Sequence, residues 1–171
     1  MRIKAHWLAA SILSVLTLSA PAYAADKAQA TLKDASDREV GHATLFGTTG
    51  GVLISLDLTA VPPGDRAFHI HAVGKCEPPK FESAGPHFNP EQHSHGVMNP
   101  KGPHAGDMPN LHVPESGTLQ IEVLNATVAL SESSLLDADG SAIVIHAGPD
   151  DYKTDPAGNA GDRIACGVIT P

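Results

Sequence analysis

Ala67-Phe68-His69-Ile70-His71 (AFHIH, residues 67–71) reads as a strand whose two faces differ in chemistry. Successive side chains of a β-strand point to opposite faces, so Phe68 and Ile70 share one and His69 and His71 the other. Such a strand packs a core with one face and presents two imidazoles from a rigid support on the other. The run AIVI (142–145) ends in His146, which brings a third imidazole from a second strand. Outward from these two segments, alternating or β-branched runs at 28–32, 39–46, 51–58, 67–72, 119–130, 142–147 and 164–169 predict further strands. Gly50-Gly51, Pro62-Pro63-Gly64 and Asp139-Gly140 read as turns. No window has a convincing helical period, although 131–137 is compatible with a short helical turn. Short strands at this spacing predict an antiparallel sandwich or barrel.

Between residues 75 and 114 the composition changes to proline, glycine and histidine with few β-branched residues. So long a stretch without periodicity inside a compact domain needs something other than a core to hold it. Metal coordination and a disulfide are the expected holders. Within it, His87, His95, His104 and Asp107 form a three-nitrogen, one-oxygen set that suits tetrahedral zinc. Spacing alone leaves His93 in competition with His95. Together with His69, His71 and His146 these make seven ligand-type residues, more than one tetrahedral ion uses, so two metals are expected.

The first residues are set aside from the fold. Arg2 and Lys4 precede an apolar run, 7–18, too short to span a bilayer comfortably, and Ala22-Tyr23-Ala24 is a small-x-small cleavage signal. Residues 1–24 therefore read as a secretory signal peptide and 25–171 as one domain. Losing Arg2 and Lys4 takes the formal charge from −8 to −10, a poor balance for binding nucleic acid or anionic membrane. In an exported chain Cys76 and Cys166 are expected to form a disulfide.

The residues FHIH (68–71), AGPHFNP (84–90), His95, His104 and Asp107 in that order, VIHAGPDD (144–151) and GNAGDRIACGVI (158–169) resemble the exported, bacterial type of copper/zinc superoxide dismutase. The resemblance spans essentially the whole chain after residue 24. It implies an eight-stranded antiparallel Greek-key β-barrel or sandwich with long metal-binding and active-site loops. It implies one copper and one zinc per subunit, with His69, His71, His87 and His146 on copper and His87, His95, His104 and Asp107 on zinc. His87 is then the shared ligand, His93 is excluded, and Asp150 orients one histidine of each set. Arg163 becomes the guide for a small anion, and His87 and Arg163 the catalytic pair. The implied activity is dismutation of superoxide to dioxygen and hydrogen peroxide, an antioxidant function in the periplasm. Family members include monomers and dimers, which leaves a homodimer open.

Some positions depart from the family pattern: Ala72 where a charge is common, Lys75 before the cysteine, Ala157 where a threonine is common, and a short 151–158 loop. None is a ligand, so they bear on channel width and steering. Lys75, Lys80, Lys101 and Lys153 are the candidate steering cations. A copper carrier on the same fold is the alternative reading, set back by the full complement of copper ligands and the arginine. A zinc hydrolase leaves four ligands unused and lacks a free general base.

Overall fold

The computed structural model describes residues 25–171; the expected signal peptide, 1–24, lies outside the described residues. These residues are all-β, with one short 3-10 turn, Glu82–Ala84. In chain order the strands are β1 (Lys27–Asp34), β2 (Glu39–Thr48), β3 (Gly51–Leu58), β4 (Gly64–Arg66), β5 (Phe68–His71), β6 (Leu111–Val113), β7 (Leu119–Asn125), β8 (Ala142–His146) and β9 (Arg163–Val168). Only Ala67 separates β4 from β5; taken as one interrupted strand they bring the count to the expected eight. Seven strands form one antiparallel sheet in the order β5-β8-β9-β1-β2-β3-β7, and β4 and β6 form a small second sheet. The chain crosses from β3 to β5 at the opposite edge, returns to β7 beside β3, and crosses again to β8, which is Greek-key connectivity.

The alternating pattern explains the core. Ala28, Ala30 and Leu32 of β1, Ala43 and Leu45 of β2, and Val52, Ile54, Leu56 and Leu58 of β3 all point inward and join Phe68, Ile70, Ile143 and Ile145 in one cluster. β8 is buried on both faces: Ile143 and Ile145 meet this cluster, while Ala142 and Val144 pack with Phe81, Ala84 and Cys166 under the disulfide. Two-sided burial accounts for its unbroken apolar run.

Three local expectations are revised. The β2–β3 hairpin turns at Thr49-Gly50, one residue before the expected Gly50-Gly51, because Thr48 pairs with Gly51. The run expected to extend to residue 130 leaves the sheet after Asn125. Residues 131–137 form hydrogen-bonded turns and no helix.

The 75–114 segment is held by more than ligands and sulfur. β5 is one edge strand of the sheet, and its open side is taken by this segment: Ile70 N–H donates to Gly106 O at 2.9 Å and Phe88 N–H to Ile70 O at 2.8 Å. Ala72 N–H donates to Pro86 O at 2.9 Å, so His87 and Asp107 bridge to His71 and His69 as partial strand partners. Gly106 permits the close approach, since a Cβ there would lie 2.2 Å from Ile70 O. The Cys76–Cys166 disulfide ties the start of the same segment to β9.

Candidate metal centre

Register sets the site. β5 and β8 pair His69 with Val144 and His71 with Ala142, and a bulge after Ile145 turns His146 opposite Arg163 of β9. All four residues of β5 are buried, so the histidine face is covered by the docked loop instead of facing solvent.

Two sets of ligand atoms converge, each within 4.8 Å: His69, His71, His87 and His146, and His87, His95, His104 and Asp107. His87 belongs to both. In the second set Asp107 Oδ1 lies 2.8 Å from His87 Nδ1, 3.0 Å from His95 Nδ1 and 3.3 Å from His104 Nδ1. The other carboxylate oxygen accepts from Gly96 N–H at 2.8 Å and His104 N–H at 3.0 Å, which fixes its rotation.

In the first set the second ring nitrogens are anchored, and the anchors decide the tautomers. A carboxylate or carbonyl oxygen only accepts, so the nitrogen facing it carries the proton. His69 Nε2–H donates to Asp150 Oδ2 at 2.8 Å, His71 Nδ1–H to Gly85 O at 2.8 Å, and His146 Nδ1–H to Gly161 O at 3.2 Å. The free nitrogens, His69 Nδ1, His71 Nε2 and His146 Nε2, are buried without any partner, and so is His87 Nε2. Four unpartnered buried nitrogens in one converging group are costly unless an ion takes their lone pairs. The donor chemistry therefore fits a nitrogen-liking ion such as copper in the first set and zinc in the three-nitrogen, one-oxygen set.

Asp150 joins the halves. Its Oδ2 accepts from His69 and its Oδ1 from His95 Nε2 at 2.9 Å, so one carboxylate orients a ring of each set. Asp150 is itself held by a residue that sequence reading passed over. Asn110 Nδ2–H donates to Asp150 O at 2.9 Å, its Oδ1 accepts from Asp150 N–H at 2.8 Å, and its own N–H donates to the Tyr152 hydroxyl at 2.7 Å. Gly158 was missed too: at φ +63, a Cβ would lie 1.9 Å from Asp150 Oδ1 and 2.7 Å from His95 Nε2.

Electrostatics follow the geometry. Burial depresses the pKa of His69 to about 4, of His71 to about 2 and of His146 to about 3, so all three are neutral lone-pair donors at neutral pH. Burial also opposes charge on His95, but its hydrogen bonds to Asp107 and Asp150 outweigh that and push it up to about 9. Burial works against ionisation of Asp107 and Asp150 as well; the hydrogen bonds from His87 and His95 to the first, and from His69 and His95 to the second, hold both well below the usual carboxylate range.

Arg163 donates from Nη1 to Phe81 O and from Nη2 to Gly85 O, each at 2.7 Å. Gly85 O is the carbonyl that orients His71, and the segment carrying Phe81 and Gly85 follows Cys76, so disulfide, arginine and histidine are linked through one stretch of backbone. Arg163 and Lys80 line an open groove of about 670 Å³ shared with Glu82, Asp162 and Asp34. Lys80 lies 3.9 Å from Glu82, and Lys75, Lys101 and Lys153 are exposed. His93 is in neither set: its Nδ1 faces Pro103 O at 3.0 Å and its ring is half exposed.

Fold and site together define a class: an antiparallel Greek-key β-protein with two adjacent clusters of ligand-type side chains that share one imidazole. The family described as copper/zinc superoxide dismutase (SODC) matches residues 39–169. "Superoxide dismutase [Cu-Zn] 1" of Aquifex aeolicus is 52% identical over 84% of this chain and 87% of its own length. The Caulobacter vibrioides "Superoxide dismutase [Cu-Zn]" is 42% identical over 83% and 84%. Among solved structures, a double mutant of a SOD-like protein from Bacillus subtilis superposes with a TM-score of 0.80 at 39% identity, covering 84% of this chain and 97% of that one. The chain belongs to the copper/zinc superoxide dismutase family. Its cofactors are copper and zinc, and its reaction is the dismutation of superoxide.

Proposed function

We propose that His69 Nδ1, His71 Nε2, His87 Nε2 and His146 Nε2 hold copper and that His87 Nδ1, His95 Nδ1, His104 Nδ1 and Asp107 hold zinc. The observation that carries this reading is the set of four buried ring nitrogens without a partner, three of them with tautomers fixed by the opposite nitrogen. Copper bound there supplies the one-electron redox chemistry that converts one superoxide to dioxygen and a second to hydrogen peroxide, while zinc, with a filled d shell, shapes the site.

The chain's own residues do the rest. Arg163, charged at all working pH and fixed by two carbonyls, turns its remaining donors to a small anion beside the first set. His87, the ring common to both sets, would be the group that carries a proton at Nε2 to the departing peroxide. Asp150 keeps His69 and His95 in register with each other. The dismutase works after export: cleavage after Ala24 releases 25–171 into the periplasm, where Cys76 and Cys166 stay oxidised and superoxide arising outside the cytoplasm is removed.

Metal analysis of single variants tests the assignment. His146→Ala loses copper and dismutation but keeps zinc; His104→Ala loses zinc first; His87→Ala perturbs both. Retention of full copper in His146→Ala refutes the copper set.

A further inference from the structure

We infer that Asn125, at the end of β7, is a positioning residue for the zinc half of the site, acting through the backbone that carries His104 and Asp107. The inference rests on the zinc set proposed above. β7 turns Leu119, Ile121 and Val123 toward the core, and Asn125 occupies the next inward position, where it is 5% exposed. A primary amide in an apolar register is unfavourable unless its donors and acceptor are all used. Here they are. Its Nδ2 donates to Ala105 O at 2.8 Å and lies 3.1 Å from Met108 Sδ, while its Oδ1 accepts from Thr127 N–H at 2.9 Å.

The two groups it grips bracket the zinc donors: Ala105 follows His104, and Met108 follows Asp107. Ala105 O also faces Thr127 Oγ1 at 3.0 Å. On the other side, Gly106 O accepts from Ile70 N–H of β5 at 2.9 Å, so the turn from His104 to Asp107 is fixed between two strands of the barrel. Asp107 reaches its three histidines only if that turn keeps its place. The metal set lies on a loop, and Asn125 supplies the rigid wall behind it.

The experiment measures zinc affinity of the purified mature chain by chelator competition, with copper content and the visible spectrum of cobalt(II) placed in the zinc site. Asn125→Asp keeps the shape and removes both donors; Asn125→Ala removes the grip entirely. Both are expected to lower zinc affinity about 10- to 100-fold, the range usual for lost outer-shell contacts, and to alter the cobalt bands while copper uptake persists. Thr127→Val, at an exposed position that does not threaten folding, lowers it by a smaller step. Ile54→Val, a core change that removes none of the Asn125 hydrogen bonds, leaves affinity and spectrum as in the parent. Asp107→Ala tests the underlying assignment. If it loses zinc while every Asn125 and Thr127 variant stays within twofold of the parent, the inference about Asn125 is overturned and the zinc set stands. If Asp107→Ala also keeps zinc, both are overturned, and equal loss in Ile54→Val shows that general stability, not positioning, is at work.

Discussion

Gly158→Ala is the smallest change that reaches both halves of the metal centre without touching a ligand. Residue 158 sits at φ +63, where a Cβ costs about 1–2 kcal/mol. That Cβ would also stand 1.9 Å from Asp150 Oδ1, 2.5 Å from its Cγ and 2.7 Å from His95 Nε2, so something must move. The backbone here is poorly free to do so, since Gly158 N–H donates to Thr154 O and Gly158 O accepts from Asp151 N–H. The carboxylate therefore yields and surrenders at least one of its two histidine contacts. A hydrogen bond to a charged group is worth about 1.5–3 kcal/mol, which corresponds to roughly a tenfold to hundredfold loss of zinc affinity. Chelator competition on the purified variant measures this directly, and thermal unfolding of the metal-free form measures the backbone strain. Gly50→Ala serves as the control, because a Cβ there meets nothing closer than Thr48 Oγ1 at 3.9 Å. Parental zinc affinity in Gly158→Ala would refute the claim that the packed Asp150 carboxylate orients His95.

Three further outcomes follow from the same geometry. Arg163→Ile keeps both metals but slows dismutation and flattens its dependence on ionic strength, because the lost guide acts through a screened field; stopped-flow rates at several salt concentrations show it, and an unchanged salt slope counts against the role. Cys166→Ser opens a loop with a sequence separation of 90 and costs about 4–5 kcal/mol in denaturant unfolding on the chain-entropy account, with a loss under 1 kcal/mol as the contrary result. Metal-free protein is most stable at about pH 7. Below that, the unfolded chain protonates three histidines that burial keeps neutral in the fold at pKa values of about 4, 2 and 3, so stability falls as pH drops, with a limiting slope of about 4 kcal/mol per pH unit. Above it, the stabilisation tied to His95, raised to about 9, is lost as pH rises through that value. Urea titrations from pH 5 to 9 check both limbs, and a flat profile from pH 7 to 5 would contradict the buried neutral histidines.

What sequence reading could and could not reach divides along physical lines. Alternation in AFHIH and the apolar run ending at His146 were legible because strand period and side-chain chemistry are local properties. The ligand types of His87, His95, His104 and Asp107 were legible for the same reason, but the choice of His95 over His93 came from family resemblance. Geometry supports that choice: His95 is fully buried between two carboxylates, whereas His93 folds back on Pro103. Asn110 and Gly158 left no periodic trace, since each acts by a single contact across the fold. Asn125 did leave one, a polar residue in the inward register after Leu119, Ile121 and Val123, which was absorbed into an overlong strand. The pairing of β4 with β6 was illegible because each is only three residues long.

The two halves of the centre are held by different means, and that difference orders their behaviour. His69, His71 and His146 stand on β5 and β8, paired strands in the barrel core, and each has its second nitrogen tied to an oxygen; the first set is therefore shaped by the fold itself. His95, His104 and Asp107 lie on the long loop, where hydrogen bonds to β5 and the end of β7 replace strand pairing and where like-sided rings crowd one carboxylate. Only His87 is common to both, placed by the partial pairing of the loop with His71. Zinc therefore has shape to supply and copper has little, so removing zinc should disturb the copper half through His87 and Asp150, while removing copper should leave the zinc half as it was.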